Sequence, residues 1–249
     1  MLKFTKPLLI TKLKATGVHL SLSIIVFGYL AYQIYFNWYP QPYFSVDGGW
    51  QGIRLIGAVD LVLGPFITFL IFDLRKSRRE ILFDLVVIAA IQFGALAYGL
   101  NLTYTQRPVA IVVIDEFVVG AIMEQYGGKL ESSDQLKQYS DEKPPIIFAD
   151  LPLDKETLDE VNRITLEDKT PVHAQLQLYK SRAELTVALK SKQVVYMSRM
   201  DYYKQRDRYE AWLEQHGKSE DEILIALFDG RYGKVWLVFN LDGSYLDYF

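Results

Sequence analysis

Asp60 sits inside an apolar run, where an ionisable side chain is costly unless it is paired, hydrated or turned toward protein. On a helix, Gly57, Asp60, Gly64 and Thr68 fall at i, i+3, i+7 and i+11 and share one face. Small residues let a second helix approach closely, and polar ones can hydrogen-bond across the gap. Pro65 removes a backbone donor and is expected to kink the same helix. Gln92, flanked at helical spacing by Ala89, Ala95 and Gly99, offers a second contact face. Two readings stay open for Gly57, Asp60, Gly64, Pro65, Thr68 and Gln92. They are packing surfaces between helices of this chain, or a docking groove for the transmembrane helix of a partner.

Catalytic chemistry has little to work with. His19, His173 and His216 are far apart in sequence and form no HExxH or other ligand pair, so no metal site is expected. There is no Walker A loop, no dinucleotide fingerprint and no GxSxG, and no catalytic residue or cofactor is assigned. The chain has no cysteine, which excludes disulfides, thiolate catalysis and Cys-type metal sites. Asp115-Glu116 can be read as a carboxylate pair for glycoside chemistry on cell-wall polymers. Neighbouring residues on a strand point to opposite faces, so a solvated turn is the expected outcome.

The elements that must position Asp60 are three apolar stretches at about 18–36, 53–72 and 81–100, each 19 or 20 residues long. About 20 residues at a rise of about 1.5 Å cross the hydrocarbon core of a bilayer. The first follows Lys3, Lys6, Lys12 and Lys14 like a signal peptide, but its apolar part is too long and no small-x-small site follows, so it reads as an uncleaved anchor. Basic residues stay on the cytoplasmic side. The N-terminus carries four lysines, the connection 37–52 has no Lys or Arg, and the short one at 73–80 packs in Arg75, Lys76, Arg78 and Arg79. The N-terminus and the second connection are thus expected in the cytoplasm, and everything after Leu100 on the far side, the periplasm of a bacterium. Trp38, Tyr39, Tyr43 and Trp50 fit an outer aromatic belt, with the four basic residues anchoring the inner interface against lipid. His19 and Asp84, near the inner ends of their spans, are expected to snorkel, with a mutual pair as the alternative.

Charge divides the chain in the same place. Residues 1–100 hold 9 basic and 5 acidic side chains, net +4, and residues 101–249 hold 18 and 25, net −7. An acidic exported part argues against nucleic acid, whose phosphates call for a basic face. Two domains are expected, a transmembrane one over 1–100 and a periplasmic one over 101–249.

Within the second, Pro108–Ile114 and Phe117–Ile122 read as strands and Ile146–Phe148 as a short third. Asp154–Leu166, Ser181–Lys190 and Asp201–Gln215 read as helices, with Pro171 starting a new element. Glu222–Phe228, Lys234–Asn240 and Ser244–Phe249 read as a C-terminal antiparallel β-meander. The fold class is a membrane protein with three N-terminal transmembrane α-helices and a periplasmic α+β domain, one sheet joining N-terminal strands to C-terminal ones.

Several short motifs recur together. Lys14-Ala15-Thr16-Gly17-Val18-His19, WYPQPY at 38–43, Gly48-Gly49-Trp50, DLVLGP at 60–65 with Thr68 and Phe72, Arg78-Arg79-Glu80, Asp84, Gln92, Tyr98-Gly99, Tyr104 and Arg107-Pro108-Val109 resemble the type IV pilin accessory proteins of the TfpX/TfpZ type. The likeness covers residues 14 to about 117. Beyond it the resemblance lies in size and in a helical then stranded layout, and this chain reads Asp115-Glu116-Phe117 where the family carries Asp-Arg-Phe.

The resemblance implies an inner-membrane, chaperone-like or assembly-modulating factor, not an enzyme, that acts beside a cognate major type IV pilin and the pilus assembly machinery. A pilin waits in the membrane as one apolar helix with an exported head, so a helper needs a helix-packing face and an exported domain. The competing classes are a membrane-anchored enzyme acting on pilin glycan or peptidoglycan, which needs convergent acids, and a sensor, for which about 16 residues and an eight-residue turn leave little cytoplasmic output.

Overall fold

The computed structural model describes residues 6–249 and divides into two compact units. One comprises the chain up to Trp38 together with Gly49–Tyr104; the other comprises Tyr39–Gly48 and Thr105–Phe249. The expected boundary at residue 100 is therefore incomplete, because ten residues between the first two long helices belong to the C-terminal unit.

In the first unit three helices are long and apolar enough to cross a membrane. The first is α1 (Lys6–Tyr32), which widens into a π turn at Gln33–Trp38. After a short helix α2 (Tyr43–Val46), the second runs from α3 (Gly49–Gly57) through a π turn at Ala58–Leu63 into α4 (Gly64–Ile71). The third is α5 (Arg78–Thr105). The first and third outrun their apolar stretches at both ends, and the second starts four residues before its own. Pro108 breaks the third, because the residue before a proline is disfavoured in the helical region. The kink expected from Pro65 takes the form of the π turn. Proline cannot donate and its ring crowds the carbonyl four residues back, and the wider turn just before it relieves that crowding. Lys3 lies outside the described residues.

The C-terminal unit is built on a seven-stranded sheet in the order β4-β3-β1-β2-β5-β6-β7. β1 (Pro108–Ile114) is buried along its whole length, as an unbroken apolar run covered on both faces should be. It pairs antiparallel with β2 (Phe117–Ile122) across a two-residue turn and parallel with β3 (Ile146–Ala149). β4 (Tyr179–Lys180) edges β3. β5 (Ile223–Gly230), β6 (Gly233–Asn240) and β7 (Tyr245–Tyr248) pair antiparallel in succession.

Helix α6 (Lys155–Glu167) is capped by Asp154, whose carboxylate accepts from the Thr157 N–H at 2.8 Å. Helix α7 extends over Arg182–Tyr202, well past the expected end at Lys190, and α8 covers Arg206–His216. Leu185, Leu189, Tyr196 and Met200 lie one above another on α7 and enter the same core as β5 and β6. That buried stripe, which polar Lys192 and Gln193 interrupt in sequence, is what carries the helix on.

α7 also joins the two halves of the sheet. β2 meets β5 at the single pair Val118 and Phe228, so the start of β5, paired with β6 on one side, has no strand on the side facing β2. Gln193 fills the gap. Its amide donates to the Ile225 carbonyl at 2.9 Å and accepts from the Ile225 N–H at 3.0 Å. Gln193→Ala is expected to destabilise this unit by about 2 kcal/mol, because both buried backbone groups lose their partner. Chemical unfolding of the two chains compares them directly, and an unchanged midpoint would mean that other groups take over the bonds.

Candidate functional site

The polar residues of the first unit converge. Asp60 lies in the π turn of the second long helix and is 3% exposed. Its Oδ1 accepts from Ser23 Oγ of α1 at 3.1 Å and from Gln92 Nε2 of α5 at 2.6 Å, so one carboxylate oxygen ties all three helices together. Its Oδ2 is buried with no partner among the described residues. Two turns further along the second long helix, Thr68 Oγ1 and His19 Nδ1 lie 2.5 Å apart. Lys12 donates to the carbonyls of Phe69 and Leu70 at 2.9 and 2.8 Å, satisfying acceptors that the end of α4 leaves open. Lys12, His19 and Ser23 follow at i, i+7 and i+11 on α1, a spacing that would have marked them as a second polar face.

The stripe of small residues is used up by these contacts. Gly57 lies against the Phe27 ring, and a Cβ on Gly64 would stand 2.4 Å from Gln92 Oε1, so glycine there is what lets the amide reach Asp60. Pro65 is buried at the start of α4. Gly57, Gly64 and Pro65 thus pack inside the unit. Asp60, Thr68 and Gln92 have a second face, because they line a groove of about 500 Å³ that runs between α1 and α5. Its rim is apolar and open, with Val18 at 64%, Leu22 at 60% and Phe93 at 70% exposure. Its base is His19, Ser23, Asp60, Thr68 and Gln92. The arrangement suits a rod with an apolar surface that meets hydrogen-bonding groups at depth.

The expected anchors part company. Trp38 packs edge-on to Tyr104 at 5.1 Å, and Trp50, 43% exposed, lies under Arg54 at 5.0 Å. Tyr39 and Tyr43 are not belt residues. They are 1% and 3% exposed and form part of the C-terminal unit, so neither has a face for lipid. Arg75 forks onto Asp73, holding that half-buried carboxyl down at about 2. Lys76 pairs with Asp84 at 2.5 Å, which rules out the expected His19–Asp84 alternative; Arg78 and Arg79 are exposed at the start of α5.

In the C-terminal unit the segment Tyr39–Gly48 forms a strap. Tyr43 stacks edge-on to Phe228 at 5.2 Å. Asp47, 2% exposed, accepts from both the backbone N–H and Nε of Arg231 at 3.1 Å. The same guanidinium donates to the Asp47 carbonyl, the Gln106 carbonyl and the Gln106 side chain. Burial pushes the Asp47 carboxyl up from its ordinary value, against a smaller downward pull from Arg231. A Cβ on Gly230 would stand 2.5 Å from the Val46 carbonyl oxygen, so the turn after β5 needs glycine for the strap to seat.

The adjacent acids do not converge on a cleft as a pair. Asp115 binds Lys192 at 2.5 Å and Glu116 binds Arg199 at 2.6 Å. Each histidine is engaged with its own neighbours, His173 with Gln125 and His216 with Trp212 and Asp247, and no metal-binding cluster occurs among the described residues. Burial lowers the His173 value from its ordinary one.

Residues 7–48 match the family described as fimbrial assembly protein FimB. Over 99 residues the chain is 38% identical to the fimbrial assembly protein of serogroups C1 and C2 from Dichelobacter nodosus, which spans 40% of this chain and 76% of that relative. The fimbrial assembly proteins of serogroups I and E1 from the same organism are also 38% identical over 99 residues, and there the chain spans 38% of the relative's length. No solved structure matches the chain.

Proposed function

This chain belongs to the fimbrial assembly protein FimB family, and on that premise we propose that it is a non-enzymatic, chaperone-like membrane factor of the TfpX/TfpZ type that binds the cognate major type IV pilin. The groove between α1 and α5 receives the single apolar helix of the pilin, and the C-terminal unit receives its exported head. The N-terminus and the Asp73–Glu80 connection face the cytoplasm of the inner membrane, and the C-terminal unit faces the periplasm, in keeping with the basic residues at 75–79 and none at 37–52.

The observation that carries this reading is the groove itself. Ser23, Asp60 and Thr68 are buried between the helices, but the helices do not close the space beside them. Here the polar base is assembled, yet α1 and α5 leave it flanked by exposed apolar walls. The commitment of Asp115 and Glu116 to separate cations favours a binding role over a glycosidase one.

The test is photo-crosslinking in living cells from Leu22 and Phe93 on the rim, with Phe83 on α5, outside the groove, as control. The expected result is an adduct with the major pilin from the first two positions and not from the third. Adducts that are absent from the rim, or equal at all three positions, would remove the groove as the pilin site.

A further inference from the structure

We propose that a cleft at the carboxyl ends of β1 and β3 is a second docking site, one that takes an apolar segment carrying a lysine or arginine from the exported head of the same pilin. The identity of that partner rests on the function proposed above; the cleft and its chemistry do not.

The cleft exists because two neighbouring parallel strands leave the sheet in different directions. β1 turns at once into β2 through Asp115, whose φ is +50°, while β3 runs on through Asp150–Leu153 toward α6. Crevices form where chain ends diverge in this way. α7 closes the third side, and the space enclosed is about 660 Å³.

Its walls are apolar and unprotected. Leu153 is fully exposed, Val187 is 69% exposed and Leu158 is 38% exposed, and all three line the cleft. Val187 stands on the side of α7 away from the buried stripe, two residues after Leu185, with Val194 seven residues further along the same face at 81% exposure. A β-branched residue on a solvent-facing helix surface costs helix stability and gains no packing. Exposed apolar residues gathered at a concave, polar-rimmed surface mark an interaction site.

The charge of the rim selects the occupant. Asp115 and Lys192 neutralise one another at 2.5 Å, and Glu184 is spent on capping α7 through Ser181. Asp150, which also lines the cleft, has no ion-pair partner among the described residues. The net −7 of residues 101–249 adds a background field of the same sign. An apolar segment with one cation satisfies both the walls and Asp150, whereas an acidic one is repelled.

The experiment places a photo-crosslinker at Leu153 or Val187 of the full-length chain in its membrane and compares it with one at Leu22. Pilin adducts are expected from all three positions. Asp150→Lys should cut the adduct at Leu153 roughly fivefold, the worth of about 1 kcal/mol in a rim pair and its reversal, and leave the Leu22 adduct unchanged. Asp150 is exposed and its carboxylate serves no cap, so this variant keeps the fold. Adducts with pilin at Leu22 alone would overturn the cleft and leave the membrane groove standing. Capture at Leu153 of a second copy of this chain, or of another envelope protein, would overturn the choice of occupant. Absence of pilin at every position would fall on the function as well as on the cleft.

Discussion

Arg231→Met is expected to lower the stability of the C-terminal unit by about 3 kcal/mol, whereas Asp47→Asn should cost less than about 1 kcal/mol. The asymmetry follows from burial. Asp47 is almost fully enclosed, and removing Arg231 leaves its carboxylate without the charge that offsets its desolvation. The arginine side chain, 36% exposed, can turn to water when the acid is neutralised, and asparagine keeps an oxygen for the Arg231 N–H and Nε. Arg231 also stitches the strap to Gln106, so its loss frees three segments together. Thermal unfolding of the full chain in detergent, read in variants that keep Trp212 and Trp236 and carry Trp38→Phe and Trp50→Phe, compares the two. Equal losses would show that the strap is held by shape and not by the guanidinium.

The same site has a pH signature. A carboxyl whose folded value is raised holds its proton more tightly when folded, so its contribution is fully present below the ordinary carboxylate value and is lost as pH rises from there through the raised folded value. Mild acid is therefore expected to leave the strap in place, a result opposite to that for a surface salt bridge.

Asp60→Leu is expected to reduce recovery of the pilin with this protein roughly tenfold, the worth of one strong interhelical polar contact in a membrane. Leucine is apolar and suits the span, so insertion and abundance should hold. Asp60→Asn should retain most of the recovery, because its amide oxygen can still accept from Ser23 and Gln92. The comparison separates two roles. If leucine leaves recovery intact, the network serves internal packing alone and the groove loses its base. If leucine and asparagine both abolish it, the carboxylate itself, including its unpartnered Oδ2, is what the partner meets.

Much of this molecule is legible in residues 53–72 and 108–122. A twenty-residue stretch broken only by Arg54, Asp60 and Thr68 leaves few options beside a long helix, and the apolar run of Pro108–Ile114 forms a strand buried along its whole length. The spacing that put Asp60, Gly64 and Thr68 on one face picked out two residues of the polar base, Asp60 and Thr68, but not Ser23. It could not say which helix that face meets, since Ser23 and Gln92 come from stretches 37 and 32 residues away. α7 was underestimated because Lys192 and Gln193 look like a break in sequence. They are the residues that reach across to Asp115 and Ile225.

Local chemistry, read from the sequence alone, determined the number of long apolar helices, the apolar strands and the charge division, because each depends on neighbours within a few residues. Tertiary structure decided the rest. It turned Gly57 and Gly64 inward, left Asp60, Thr68 and Gln92 at the base of a groove, and moved Tyr39 and Tyr43 from an expected lipid belt into a protein core. An aromatic residue beside an apolar helix is equally at home at a lipid interface or against Phe228, and what separates the two is an arginine 184 residues further along the chain that holds Asp47 in place.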